Sequence, residues 1–383
     1  MKGVFFLKNL DELNNLQSKQ IELIISPKEL SRFGQLSIED SIQALDFCQG
    51  QGIPAFLEWD ILMTENDFQQ SLKVLAKLPL DKFSAIRVQD IGAYHYLLNQ
   101  TNFKIQLILE SGNHNFEAIK KWESVGGNQL DRIILGLELP KNILKKYISQ
   151  LTTPCELQVL GKILLFYSPR SLLSKPLELQ QEFIETTGSS EETPHKGFKI
   201  IENRHGTFMF LPKDQYLLDV YSELLETNLA AIRFDHRFLE GNLNLNDVIN
   251  LYLTNSEEKR LFFKENYGAK FIRGYFNVNR SDAIFTKLKN SRMVKKSDHY
   301  VGKVVDVKKD EYLAISLFNN TNRKLKIGDL IEVSSPDGRA KKVEVKSIKT
   351  VGLKNIDQIN NEKIVLIPHV GGTSVKAHVH FLD

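Results

Sequence analysis

The sequence is short of sulfur, of net charge and of long apolar runs, and each shortage excludes a class of protein. Only two cysteines occur in 383 residues, Cys48 and Cys155, 107 positions apart. They support neither a disulfide framework nor a metal site built from thiolates alone. Lys and Arg number 50 against 47 Asp and Glu, a formal net charge of +3. That balance argues against a strongly basic nucleic-acid binder but leaves room for a local basic surface. No run approaches the roughly 18 apolar residues of a membrane span, so no membrane partner is expected. The opening MKGVFFLKNLDELNN has too short an apolar core for a signal peptide, and the expected compartment is the cytoplasm. HExxH, CxxC, P-loop and GxSxG patterns are all missing. Nucleotide hydrolysis and α/β-hydrolase chemistry therefore have no support.

What is present is an ordinary globular composition, 42% apolar and 25% charged. To about residue 255, strand-like apolar runs alternate with stretches of helical period. The runs are Val4–Leu7, Ile21–Ile25, Ala55–Trp59, Ala85–Val88, Ile105–Leu109, Arg132–Leu137, Glu156–Phe166 and Ala231–Phe234. The amphipathic stretches between them are Asp11–Gln17, Ser37–Gln49, Glu65–Leu78, Ala93–Leu98, Phe116–Val125, Lys141–Leu151 and Lys213–Glu226, with Leu245–Leu253 after the last strand. Eight such repeats predict an α/β fold, a (β/α)8 TIM-type barrel over residues 1–260. An open doubly wound sheet is the alternative. It would more usually show five or six strands and a Gly-rich first turn, and no such turn follows Val4–Leu7. A polar insertion at 174–196 interrupts the rhythm and reads as a lid or a surface loop. Residues 261–298 are expected to link to a small C-terminal antiparallel β-barrel at 299–383, where short strands alternate with turn signals.

In a barrel of this kind the carboxyl ends of the strands face the functional mouth. That rule selects Glu58, Asp60, Gln89, Asp90, Glu110, His114, Glu138, Tyr167, Ser168, Arg170, Asp235, His236 and Arg237. Asp90 stands before a helical stretch and reads foremost as an amino-terminal cap. His205, in ENRHGTFMF, precedes a turn into a short strand. His378 and His380 share one face of the last strand and could hold a divalent ion, but they read as an exposed polar face. No metal and no cofactor are expected. The terminal domain is locally basic, from Lys295 to Lys354, a pattern of phosphate-binding surfaces; its few aromatics (Tyr300, Tyr312, Phe318) do not indicate sequence-specific reading.

Two longer motifs carry a family resemblance. Glu156–Ser174 reads ELQVLGKILLFYSPRSLLS, and His205–Arg237 reads HGTFMFLPKDQYLLDVYSELLETNLAAIRFDHR. Together with VQDIG (Val88–Gly92), LELP near Glu138 and RGYFN at Arg273, they resemble the hallmarks of peptidase family U32, the collagenase-like proteins. Glu156, Gly161, Tyr167, Ser168, Arg170, His205, Asp235 and Arg237 stand in matching places. The resemblance implies a barrel fold and kinship with proteins that hydroxylate RNA or a quinone precursor using a four-cysteine iron–sulfur cluster. Here the two cysteine positions of the first motif are Leu164 and Ser171, and the insertion holds no cysteine. Leucine cannot ligate iron and a serine hydroxyl is a poor substitute for a thiolate. Pro169 replaces the family's glycine and stiffens the chain beside Ser168.

The expected protein is thus a divergent, cluster-less relative of the RNA-modification branch. It would keep an anion-binding rim of Arg170, Arg233 and Arg237 with Glu138 and Asp235. RNA, reached through the basic terminal domain, and a cysteine-complete paralogue of the family are the expected partners. Two rivals stay open: a collagenase-like hydrolase using Ser168 with His114, His205 or His236, and a non-catalytic scaffold subunit.

Overall fold

The computed structural model describes all residues except 15, 17–19, 111–112, 175–182, 190–195, 239–242, 278–298, 319–322, 336–339, 360–362 and 383. The chain divides into two compact units, Met1–Asn279 and Arg280–Asp383. Most of the expected linker, parts of the polar insertion, and the turns expected at 319–322 and 336–338 lie outside the described residues.

The first unit is a closed parallel barrel. Its first seven strands are β1 (Lys2–Leu7), β2 (Ile21–Ile25), β3 (Ala55–Trp59), β4 (Ala85–Val88), β5 (Ile105–Leu109), β6 (Leu130–Leu135) and β7 (Cys155–Gly161). The chain then leaves the barrel for β8 (Leu164–Ser168), β9 (Ile184–Ser189), β10 (Lys196–Asn203) and β11 (Gly206–Phe210). These form an antiparallel sheet in the order β8-β11-β10-β9. After β12 (Asp214–Tyr216), β13 (Ala231–Phe234) returns as the eighth barrel strand. It pairs in parallel with both β7 and β1, and so closes the ring.

Helices cover the outside: α1 (Ile38–Gln51), α2 (Glu65–Leu75), α3 (Ile91–Gln100), α4 (Phe116–Gly126), α5 (Lys141–Ile148), α6 (Tyr221–Leu225), α7 (Leu245–Thr254) and α8 (Glu257–Asn266). Their starts are written in the sequence. Ser37 with Asp40, Thr64 with Asp67 and Asn244 with Asp247 form reciprocal capping boxes, which satisfy amino-terminal N–H groups that would otherwise lack partners. Asp90 caps α3 by accepting from the Ala93 N–H at 3.0 Å. No helix among the described residues is long and apolar enough to cross a membrane.

Three expected elements differ. Among the described residues, the stretch expected over Asp11–Gln17 holds a short 3-10 turn, Leu10–Leu13, and no α-helix. The single strand expected over Glu156–Phe166 is two strands in different sheets. Gly161 ends the first with φ +131°, and a Cβ there would meet the Asp235 carbonyl oxygen at 2.7 Å. The chain can turn out of the barrel beside β13 only because that atom is missing. Lys213–Glu226 is not one helix. It holds β12, which pairs with β7 and with β14 (Phe271–Ile272), followed by the five residues of α6. Within the polar insertion, Ile184–Ser189 is the strand β9, paired with β10.

The second unit is an eight-stranded antiparallel sheet. Its strands are β15 (Tyr300–Lys308), β16 (Tyr312–Leu317), β17 (Leu330–Ser334), β18 (Ala340–Glu344), β19 (Ile348–Thr350), β20 (Asn355–Ile356), β21 (Ile364–Pro368) and β22 (His378–Phe381). They lie in the order β18-β17-β22-β15-β16-β21-β19-β20. Alternation sends Val304, Ile315, Val333, Val379 and Phe381 into its core and leaves the intervening positions outside.

Candidate functional site

The barrel interior is only partly apolar. Val4, Phe6, Ile24 and Ala231 form a small inner cluster. Around it, charged side chains occupy inward positions of the strands. Glu156 on β7 is fully buried, and its Oε1 lies 2.5 Å from Arg87 Nη2. Arg132 donates to Glu156 Oε2 at 3.0 Å and to Glu22 Oε2 at 2.7 Å. Gln106 accepts from Arg87 at 3.1 Å. Burial alone would raise the Glu156 carboxyl, but Arg87, Arg233 and Arg132 outweigh it and hold the group at about 2.

A second tier of charge lies at the carboxyl ends of the strands. Arg32, from the β2–α1 segment, pairs with Asp60 at 2.6 Å and reaches Glu110 at 3.2 Å. Glu110 also accepts from Arg233, and the two arginines hold its carboxyl at about 2 against the effect of burial. Arg237 grips both oxygens of Asp235, at 2.9 Å from Nε and 2.8 Å from Nη2, and spends Nη1 on Glu58 at 3.0 Å. Its guanidinium lies 3.5 Å over the Phe6 ring. Glu58 further accepts from Ser26 and Ser31. Burial and the neighbouring Asp60 carboxylate push the Glu58 carboxyl upward, against the opposing pull of Arg237 and the serines.

This lattice changes how the expected rim is read. Asp235 and Arg237 neutralise each other, and Arg233 is committed to Glu110, so neither arginine is free to hold an anion. Glu138 lies outside the lattice, half-exposed, with His114 Nε2 at 2.7 Å. Arg170 is exposed, and its guanidinium has no partner among the described residues. Tyr167 accepts from the Leu62 N–H at 3.1 Å, donates to the His205 carbonyl at 3.3 Å and stacks on Phe208. Burial raises its hydroxyl to about 12, so it stays a neutral strut. The Ser168 hydroxyl accepts from the Arg170 N–H at 3.3 Å.

The three histidines expected near Ser168 are all engaged elsewhere. His114 meets Glu138, and His236 meets Glu12 at 3.3 Å. His205 Nε2 lies 2.7 Å from the Lys28 carbonyl. A carbonyl can only accept, so that nitrogen carries the proton; burial lowers the ring's pKa and keeps it neutral. Among the described residues, no histidine forms a hydrogen bond with Ser168.

Beside the lattice opens a cavity of about 650 Å³, lined by the β2–α1 segment, the antiparallel sheet and the residues after β13. Phe33 and Phe238 meet edge to face at 4.9 Å, and Phe183 stands exposed on the wall. Lys28, Arg204 and Lys199 line it, with Glu185 paired to Lys199 at 2.8 Å. The side chains of Lys28 and Arg204 have no partner among the described residues. Sequence reasoning missed Lys28, Arg32, Phe33, Arg204 and Phe238. The segments that carry them meet only in space: Asn203 donates to the Arg32 carbonyl across 171 residues.

The segment holding Leu164 and Ser171 does not fit an iron–sulfur cluster. Leu164 offers no donor. Cys48 and Cys155 are buried in α1 and β7, where burial pushes both thiols to about 12. Glu202 instead pins this turn. It accepts from the N–H groups of Leu173 and Ser174 at 2.7 and 2.8 Å and from the Thr207 hydroxyl at 2.6 Å.

A closed (β/α)8 barrel with a polar mouth and an antiparallel side sheet defines the class of this protein. The chain belongs to peptidase family U32: residues 28–259, more than half of its length, match that family's sequence profile. The solved U32 peptidase Mk0906 is similar at 8% identity and a TM-score of 0.42, over 63% of this chain and 94% of that one. The C-terminal domain of a Geobacillus thermoleovorans protein described as a U32 peptidase aligns at 14% identity and a TM-score of 0.20, over 25% of this chain and 99% of that one. A chitinase from Chromobacterium violaceum ATCC 12472 aligns at 12% identity and a TM-score of 0.32, over 61% and 93%. No curated protein matches the chain.

Proposed function

We propose that this chain is a cluster-less U32 protein that binds RNA, taking one nucleotide into the cavity at the barrel mouth and presenting it there to a modifying partner. The cavity carries the reading. It joins aromatic rings, which stack on any base, to two exposed cations, Lys28 and Arg204, that pair with no carboxylate among the described residues. Its volume suits a small ligand or a single residue of a polymer. A cysteine-complete paralogue is the partner chemistry this reading calls for, because two cysteines cannot supply a four-thiolate cluster.

The test is binding of single-stranded RNA and tRNA across a salt series. Replacing both Lys28 and Arg204 with alanine should weaken binding at least about ten-fold at low salt. The same change should flatten the slope of log affinity against log salt by about 1.4, two single-strand phosphate contacts' worth. An unchanged slope refutes the mouth as the site. Cleavage of denatured collagen that disappears with Ser168→Ala would instead establish the hydrolase.

A further inference from the structure

The positive charge of the protein is concentrated at one end. From His299 onward there are 14 Lys and Arg against 10 Asp and Glu, an excess of four, while the preceding residues carry a net −1. Among the described residues of this unit, the side chains of Lys303, Lys342, Lys346 and Lys349 are exposed and without a partner. Lys303, Lys342 and Lys349 stand on strands of the sheet, where side chains of alternate residues share a face.

One face gathers rings. Opposite β22, the register sets Tyr300 and Glu332 against His380, and Lys303 and Ser334 against His378. Lys342 lies across from Glu332 in turn. A bulge between Tyr300 and Gly302 keeps Tyr300 and Lys303 on one face despite their three-residue spacing. Tyr300 packs edge-on against His380 at 5.2 Å and Phe318 at 5.6 Å, and its hydroxyl lies 3.1 Å from His378 Nδ1. Tyr300 is buried, and the two imidazoles beside it are half-exposed. The phenol holds the two rings from one side, and both imidazoles stay partly open to solvent. Burial, reinforced at His378 by Lys303, keeps both imidazoles neutral. Two fixed, uncharged rings flanked by lysines form a stacking platform with phosphate partners at its edge.

We propose that this face of β17, β22 and β15 is a second RNA site, which stacks unpaired bases on His378 and His380 and holds the adjoining phosphates on Lys303 and Lys342. The proposal rests on the reading that RNA is the ligand, but not on the mouth cavity. Charge and rings together favour the occupant: unpaired lysines beside two fixed, uncharged rings complement a polymer that carries a phosphate with every flat base.

The experiment uses the full chain and a short single-stranded oligonucleotide carrying 4-thiouridine. Photo-crosslinks should map to the peptides containing Tyr300 and His378–Phe381. The double substitution His378→Ala and His380→Ala should weaken binding about thirty-fold, whereas His378→Phe with His380→Phe should retain most of it. That phenylalanine rescue separates lost stacking from lost folding. Wild-type affinity in the alanine variant, or crosslinks confined to other peptides, overturns the proposal. Loss of binding with the histidine pair but not with Lys28 and Arg204 would sink the mouth reading and keep this one. The reverse pattern would do the opposite.

Discussion

The buried carboxylate Glu156 offers the sharpest test of how the barrel is held together. Glu156→Gln keeps shape and volume but removes the charge that Arg87 meets at 2.5 Å. Arg132 would retain Glu22 at 2.7 Å. Arg87 would keep only neutral acceptors, the Gln106 amide oxygen at 3.1 Å and the new amide oxygen at 156, with no exposed surface through which water could compensate for the lost charge. Breaking a buried pair from one side costs about 3–5 kcal/mol, most of it the penalty on the stranded charge. For a unit of this size each kcal/mol moves Tm by about 2–4 °C, so the midpoint should fall by about 6–20 °C. Tryptophan fluorescence reports this unit selectively, because Trp59 and Trp122 are the chain's two tryptophans and both lie in the barrel. Arg87→Met alone should also destabilise, and the double variant should lose about 1.5 kcal/mol or more less than the sum of the singles. A melt within about 3 °C of wild type, with additive singles, would refute the claim that these charges are desolvated and paired. The acid dependence has a definite sign. The Glu156 carboxyl is lowered to about 2 in the fold, so its contribution is full above the ordinary carboxylate pKa and is lost as pH falls toward 2.

Two further predictions concern the side sheet. Gly206 sits at φ +122°, and a Cβ there would stand 2.0 Å from the Ser168 carbonyl oxygen. Gly206→Ala should therefore split β11 from β8, which limited proteolysis between residues 162 and 212 would detect; resistance equal to wild type would show that the backbone relaxes freely. Glu202, also held at about 2, should stabilise the turn at 171–174 above the ordinary carboxylate pKa and release it as pH falls through that range toward 2. Protection of the Leu173 and Ser174 amides, taken as exchange relative to an unstructured chain at the same pH, should fall in wild type as pH drops from 6 to 2 and be low throughout in Glu202→Gln; protection that ignores the substitution would argue against the clasp.

Much of the barrel was legible in the primary structure because strand and helix periods are local. IELII, AFLEW and IQLIL are buried along their whole length, and Ser37, Thr64, Asp90 and Asn244 mark helix starts through side-chain oxygens that act within three residues. The two-cysteine count already ruled out a four-thiolate cluster. Asp235 and Arg237 follow β13, yet their pairing could not be read from the sequence. Arg237 reads as an anion holder until closure of the barrel brings Glu58, 179 residues away, onto it. Arg87, Arg132 and Glu22 pass in sequence as polar interruptions of apolar strands, and only register shows that they face one another. The break at Gly161 and the pairing of β12 with β7 depend likewise on what stands alongside. Local periodicity determined which segments become strands and helices; ring closure and register, which act over more than a hundred residues, decided which charges pair with one another.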